Sequence, residues 1–350
     1  MHPHILALSP AQLVQLAAAG DVPLSLHHAR RILVDAWAHP DKPTPRQTVA
    51  SHTRAAVAAL VREDPLEIVE RAHDPADGFV KYLMRAPGGA EFEAVRIPLH
   101  RPGRFSICLS SQVGCAMRCA FCATGRLGLT RNLEAWEILA TFKAIRDEAP
   151  GRVTGAVFQG QGEPLHNYDA VISAAQRLRD PCGGSISGDA ITISTVGLVP
   201  QIRRFAAERL PFRLIVSLTT TDLERRRSLL PVASKFPIEA IADAIRDYQA
   251  IKGGRVTIAW VLMAGINGGA DEVARLQTLF AGVPIIVNVI DVNDARHDGF
   301  VRADDSERGA LFDALAVAGI PFIRRYSGGA ARHAACGMLA ASRCGDGARG

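Results

Sequence analysis

The chain has 350 residues, 48% of them hydrophobic and 21% charged, which is enough for a large core and a smaller accessory domain. No run approaches the ~18 apolar residues of a membrane helix, and the N-terminus lacks the basic-then-apolar order of a secretory signal, so a cytoplasmic protein with no membrane contact is expected. The formal charge of +5 suits a nucleic-acid partner without requiring one, and seven cysteines in a reducing compartment read as metal ligands and reactive thiols rather than disulfides.

Taken in chain order, Ser9-Pro-Ala-Gln opens a short helix that closes at Gly20, and 26–38 and 44–62 continue in the same style. Residues 1–75 are therefore expected to form a small helical accessory domain, with Arg30, Arg31, Arg46 and Arg54 available to RNA or simply solvated. Residues 77–84 and 91–98 alternate in period two around Pro87-Gly-Gly, which predicts a β-hairpin extension over 76–103. From residue 104 the pattern becomes strand, loop, helix, repeated. Strands are expected at 104–110, 153–158, 190–194, 212–217, 256–262, 285–290 and 322–324. Helices are expected at 133–147, 168–179, 199–208, 238–251, 271–281 and 304–318. Such alternation implies a parallel sheet with right-handed crossovers, here a partial (β/α)6 barrel over 104–342 and a frayed tail over 343–350. Functional residues of such folds sit at the C-terminal ends of the strands.

Just past the first of those strands comes Gly114-Cys115-Ala-Met-Arg-Cys119-Ala-Phe-Cys122, a C-x3-C-x2-C run with no fourth cysteine nearby. A [4Fe–4S] cube normally takes four thiolates, so three close ones leave an iron open to a substrate or cofactor. The same thiols also suit a zinc site completed by a remote His or Cys, or ordinary buried packing. Further polar residues follow at strand ends: Gly162 and Glu163 in Gly160-Gln-Gly-Glu-Pro164, Ser194, Ser217 and Asn293. Each is weak alone; together they fall on the face of the cysteine run. Two isolated cysteines remain. Cys108 lies in an apolar strand, and Cys336 lies in a glycine-containing polar segment where a thiol is a better nucleophile.

The combination resembles the RlmN/Cfr family of radical S-adenosylmethionine (SAM) RNA methyltransferases. The resemblance rests on Cys108-Leu-Ser-Ser-Gln-Val-Gly-Cys115, the cysteine run, Arg131-Asn-Leu, Gly162-Glu-Pro-Leu, Ser194-Thr, Val216-Ser-Leu, Ala335-Cys-Gly and the Asp77 and Glu93 segments, and it covers about 75–342. It implies that Cys115, Cys119 and Cys122 hold one [4Fe–4S] cluster. It further implies that Gly162, Glu163, Ser194, Ser217, Leu218, Thr219 and Asn293 contact SAM, two molecules of which are used per turnover. Cys336 is implied to carry a methyl group, Cys108 to resolve a covalent RNA adduct through a disulfide with Cys336, and Glu93 to accept a proton, with Cys108 as a chemical rival for that role. The implied product is an adenosine methylated at C2 or C8 in ribosomal or transfer RNA. The implied partners are that RNA and an electron donor such as flavodoxin or ferredoxin, with the enzyme a monomer. The chain departs from the family pattern at Thr219, where His is usual, at Asp291-Val-Asn293, where Pro-Trp-Asn is usual, and throughout the first 75 residues. Two alternatives follow: the same radical chemistry on a substrate other than RNA, and a zinc-stabilised, non-catalytic RNA-binding protein.

Overall fold

One ten-stranded sheet runs through the computed structural model, which describes residues 2–41, 49–293, 299–325, 328, 329, 332, 334, 335 and 337–339. Three helices precede the sheet: α1 (Pro10–Ala19), α2 (Leu26–Trp37) and α3 (Ser51–Ala58). Ser9 and Gln12 close a capping box on α1, and Ser25 accepts the His28 N–H at the start of α2, each satisfying helix N–H groups that lack an internal partner. Leu13, Ala29, Leu33 and Trp37 then bury the inner faces of α1 and α2 in the main core. The helix expected over 44–62 is described only as α3; residues 42–48 lie outside the described residues.

The helical reading of 1–75 fails at its end. Glu67–His73 is a strand, β1, antiparallel to β2 (Val80–Arg85). It is an edge strand with no fully buried residue, so no buried alternation marks it in the sequence, and pairing with β2 overrides local preference. The expected hairpin is β2 with β3 (Glu91–Pro98), turning through Gly88 and Gly89, both at positive φ. It does not stand apart: β3 pairs antiparallel with β4 (Arg104–Leu109), making the hairpin continuous with the main sheet.

After β4 a separate small hairpin, β5 (Gln112–Gly114) with β6 (Leu129–Asn132), brackets the one-turn helix α4 (Ala123–Arg126). The alternation then runs α5 (Ala135–Asp147), β7 (Arg152–Phe158), α6 (Tyr168–Arg179), β8 (Ile191–Thr195), α7 (Val199–Ala207) and β9 (Arg213–Ser217). It continues with α8 (Leu223–Leu229), α9 (Ile238–Lys252), β10 (Val256–Leu262), α10 (Ala270–Leu279), β11 (Ile285–Asp291), α11 (Asp305–Val317) and β12 (Phe322–Arg325). β4 and β7 to β12 are parallel, each beside its successor. The expected βα units are therefore present, with β12 as a closing seventh parallel strand.

Side chains alternate across these strands. Ile258, Trp260, Leu262, Val287 and Val289 face the helices and join the main core, whereas Ile215, Ala259 and Ile290 form a small inner cluster of their own. One cavity touches β3, β4, β8, β9, β10, β11 and β12. The eight strands from β3 to β12, if flat, would span about 33 Å. The sheet must therefore curl around that cavity, as a partial barrel does.

Candidate active site

The cavity is lined at once by Cys108, Cys115, Cys119, Cys122, Gly162, Glu163, Ser194 and Ser217. The cysteine loop is pinned from three sides. The Cys115 N–H donates to Gly128 O (2.8 Å), Ala120 N–H to Leu229 O (2.9 Å) and Ala123 N–H to Gly337 O (2.8 Å). Gly114 makes its entry possible: its φ is +78°, and a Cβ there would lie 1.9 Å from Gly128 O. Cys119 packs among Leu229, Leu230, Val261, Met263 and Val292. Burial pushes the Cys115 thiol up to about 12 and the Cys119 thiol well above its ordinary range. Without a metal centre both stay protonated; bound iron would convert them to thiolates. Among the described residues no group of three or more His, Cys, Asp or Glu side chains is arranged to hold a metal ion. Three cavity-facing thiols on one rigid loop with apolar backing fit a larger cluster with one corner left open.

Glu163 is fully enclosed. Its Oε1 accepts the Leu165 N–H (3.0 Å), its Oε2 accepts the Val196 N–H (2.9 Å), and its own N–H donates to Gln112 Oε1 (2.9 Å). Burial raises its carboxyl to about 7 against those hydrogen bonds, so it is a carboxylate whose charge a cationic ligand would stabilise. Gly162, at φ +94°, leaves no room for a side chain: a Cβ would meet Gln112 Cβ at 2.6 Å. Gln112 Nε2 also contacts Asn132 Oδ1 (2.8 Å) and His166 Nδ1 (2.9 Å), which ties the cysteine hairpin to the Gly-Glu-Pro loop. Ser194 and Ser217 reach the cavity from the ends of β8 and β9, as expected of strand-end residues.

Cys108 stands on β4 opposite Val95 of β3, within an apolar cluster of Phe79, Val95, Ala334 and Leu339. The C-terminal segment is held to the cysteine loop by Thr124 Oγ1, which donates to Leu339 O (2.9 Å). Ala335 and Gly337 line the cavity; Cys336 between them lies outside the described residues.

Four expected residues do not line the cavity. Leu218 is buried in the main core, because it follows Ser217 on the opposite face of the chain. Thr219 is buried at φ +65°, with its hydroxyl 3.5 Å from that of Ser217. Asn293 Oδ1 accepts from Arg302 Nη2 (2.7 Å). Glu93 is buried, with Oε1 3.1 Å from Lys81 Nζ. Conversely, Gln159 and Arg325 line the cavity, joined by a 2.8 Å hydrogen bond from Arg325 Nη1 to Gln159 Oε1. Their place at the C-terminal ends of two expected strands was the available signal.

A curled parallel sheet with an open three-thiol loop beyond its first parallel strand defines an enzyme of the radical SAM class, and the radical SAM superfamily model matches residues 109–276. A probable RNA methyltransferase of Anaeromyxobacter sp. (strain Fw109-5) is 50% identical, over 76% of this chain and 79% of the relative. A probable dual-specificity RNA methyltransferase RlmN of Moorella thermoacetica is 36% identical over 95% of each. The crystal structure of a radical SAM methyltransferase from Sphaerobacter thermophilus superposes with a TM-score of 0.87 at 34% identity, covering 97% of this chain and 99% of that one. The chain belongs to the RlmN-type family of radical SAM RNA methyltransferases, and its cofactors are a [4Fe–4S] cluster and SAM. Among the described residues no helix is long and apolar enough to cross a membrane.

Proposed function

We propose that the chain methylates an adenosine carbon, C2 or C8, of ribosomal or transfer RNA through an S-methylated Cys336, in the cytoplasm, as a monomer served by a one-electron donor such as flavodoxin or ferredoxin. The observation that carries this reading is the single cavity shared by Cys108, the three loop cysteines and the two residues flanking Cys336. Cys115, Cys119 and Cys122 hold the cluster; Glu163, with Gly162, Ser194 and Ser217, lines the pocket for SAM. When bound, cluster and SAM supply the radical that removes hydrogen from the S-methyl group. Cys336 acts first as a nucleophile and needs its thiolate for that. Its carbon radical then joins the electron-poor adenine carbon, a position ordinary methyl transfer cannot alkylate. After the radical so formed on the base has given one electron back to the oxidised cluster, the Cys108 thiolate attacks the Cys336 sulfur; the disulfide forms as the Cys336 sulfur–carbon bond breaks, the released carbon takes up a proton to become the methyl group, and a thiol reductant restores both cysteines. A base takes the proton from the attacked carbon. Glu93 and Cys108 are the two candidates; the lining of the cavity by Cys108 favours the thiol, whereas Glu93 does not line the cavity and is paired with Lys81.

Anaerobically reconstituted protein, given SAM, reductant and RNA, is expected to yield 5′-deoxyadenosine and a C-methylated adenosine by mass spectrometry of digested RNA. Formation of 5′-deoxyadenosine with no methylated base in any RNA overturns the RNA assignment and favours another substrate. Cys108→Ala is expected to trap an RNA–protein adduct; free turnover by that variant removes Cys108 from the resolving role.

A further inference from the structure

Arg226, on α8, is 1% exposed. One terminal nitrogen donates to Leu218 O and the other to Val196 O, the latter at 3.0 Å, and among the described residues Nε has no partner. Both acceptors are neutral carbonyls. Arg177 and Arg308 are buried comparably, yet each pairs with a carboxylate, Asp180 and Asp291 respectively. Burying a guanidinium on neutral acceptors is strongly unfavourable unless an opposite charge stands nearby. Among the described residues, the ionisable group whose charge acts on Arg226 is the Cys119 thiol. Its helix also supports the cysteine loop directly, through the Ala120 N–H bond to Leu229 O and the packing of Cys119 on Leu229 and Leu230.

We propose that Arg226 is the buried counter-charge of the [4Fe–4S] cluster and raises its reduction potential. The inference rests on Cys115, Cys119 and Cys122 being the cluster ligands. Reduction transfers one electron from a low-potential donor to the 2+ cluster and gives the 1+ form, with no proton moved, so the cluster with its three thiolates becomes more negative by one charge. A fixed cation behind Cys119 stabilises the more negative state, and in a poorly solvated setting that field is weakly screened. The guanidinium remains protonated throughout: burial lowers it only to about 10. The same side chain fastens the chain beyond Ser217 to the chain beyond Thr195, whose Val196 N–H holds Glu163. Arg226 therefore sets the cluster's field and steadies the SAM pocket without touching either reacting group.

The test is a potentiometric titration of reconstituted holoenzyme, followed by the EPR signal of the reduced cluster. Arg226→Gln retains a donor for the carbonyls and removes the charge; Arg226→Lys retains the charge and loses the fork. In the glutamine variant the reduced-to-oxidised ratio at fixed poise is expected to fall about tenfold, equivalent to about 59 mV for one electron. The lysine variant is expected to titrate close to wild type. A glutamine variant that titrates like wild type, or a lysine variant that falls as far as the glutamine variant, overturns the proposal. Should the glutamine variant not fold, Arg226→Met replaces it in the same titration with the same expectation. Wild-type protein that gives no cluster signal at all would instead refute the ligand assignment.

Discussion

Lys81 Nζ lies 3.1 Å from Glu93 Oε1 in a buried ion pair across the β2–β3 hairpin. Lys81 is opposite Val95 in the register and Leu83 is opposite Glu93, so the pair is diagonal and shares the face of β3 that brings Val95 to the cavity. Removing one member of such a pair strands the other's charge and costs about 3–5 kcal/mol. Lys81→Met is therefore expected to lower the denaturant midpoint strongly, and Glu93→Gln, which leaves a neutral partner, less so. If Glu93 is the proton acceptor, Glu93→Gln also loses about 10²–10⁴ in turnover with SAM cleavage intact. Turnover within a few-fold of wild type assigns the proton to Cys108.

Glu163 couples the loops after β7 and β8 through its bonds to Leu165 and Val196. Glu163→Gln must turn an amide NH2 toward one of those two N–H donors, and it loses the charge that would meet a cationic ligand. Loss of a charged hydrogen bond is worth about 1.5–3 kcal/mol. SAM affinity of the reconstituted enzyme, measured by equilibrium dialysis, is expected to fall roughly 10- to 100-fold. Unchanged affinity removes Glu163 from the cofactor pocket.

Fixed local spacing was enough to place the three loop cysteines, Gly162-Glu163 and the strand-end Ser194 and Ser217 on one face, and all of them line the same cavity. Which neighbours of a motif residue face the cavity was not legible, because it depends on strand geometry. Leu218 follows Ser217 in sequence, yet successive side chains point to opposite faces. Asn293 is engaged by Arg302, a contact set by tertiary packing alone. Arg226 sits in the run Arg225-Arg226-Arg227, which reads as a solvated charge cluster; only folding separates its buried member from Arg225, which pairs with Glu272. β1 escaped notice because an exposed edge strand carries neither period clearly.

Gly114 sets where the cysteine loop begins. An added Cβ would overlap Gly128 O, and the positive φ would be strained in any L-residue. Gly114→Ala is expected to break the Cys115 N–H bond to Gly128 O and displace Cys115, the first of the three proposed cluster ligands. The main sheet does not depend on β5 and β6, which pair only with each other. Iron and sulfide content after reconstitution should fall well below wild type while far-ultraviolet circular dichroism stays unchanged. Full cluster loading in this variant would contradict the role given to the glycine.

His4 fixes the N-terminal segment to α5. Its ring stacks on Trp136 with centroids 4.7 Å apart, Nδ1 accepts the Leu6 N–H (3.2 Å), and Nε2 lies 3.1 Å from Asp64 O, to which it donates as the neutral tautomer. Burial, aided by the Arg62 charge, lowers its pKa below the ordinary 6.5. For a base so shifted, the stabilising contribution is present above the unfolded pKa and fades as pH falls through the folded one. Protonation at Nδ1 also forfeits the Leu6 bond, worth about 1 kcal/mol. His4→Asn is expected to be less stable than wild type at pH 8, with the gap narrowing on acidification below about pH 6.5, the reference value for histidine. Paired thermal melts at pH 8 and pH 5.5 read this directly, and taking the difference between the two proteins cancels the acid response of the other groups. A gap that widens toward acid would mean that His4 is held as the cation.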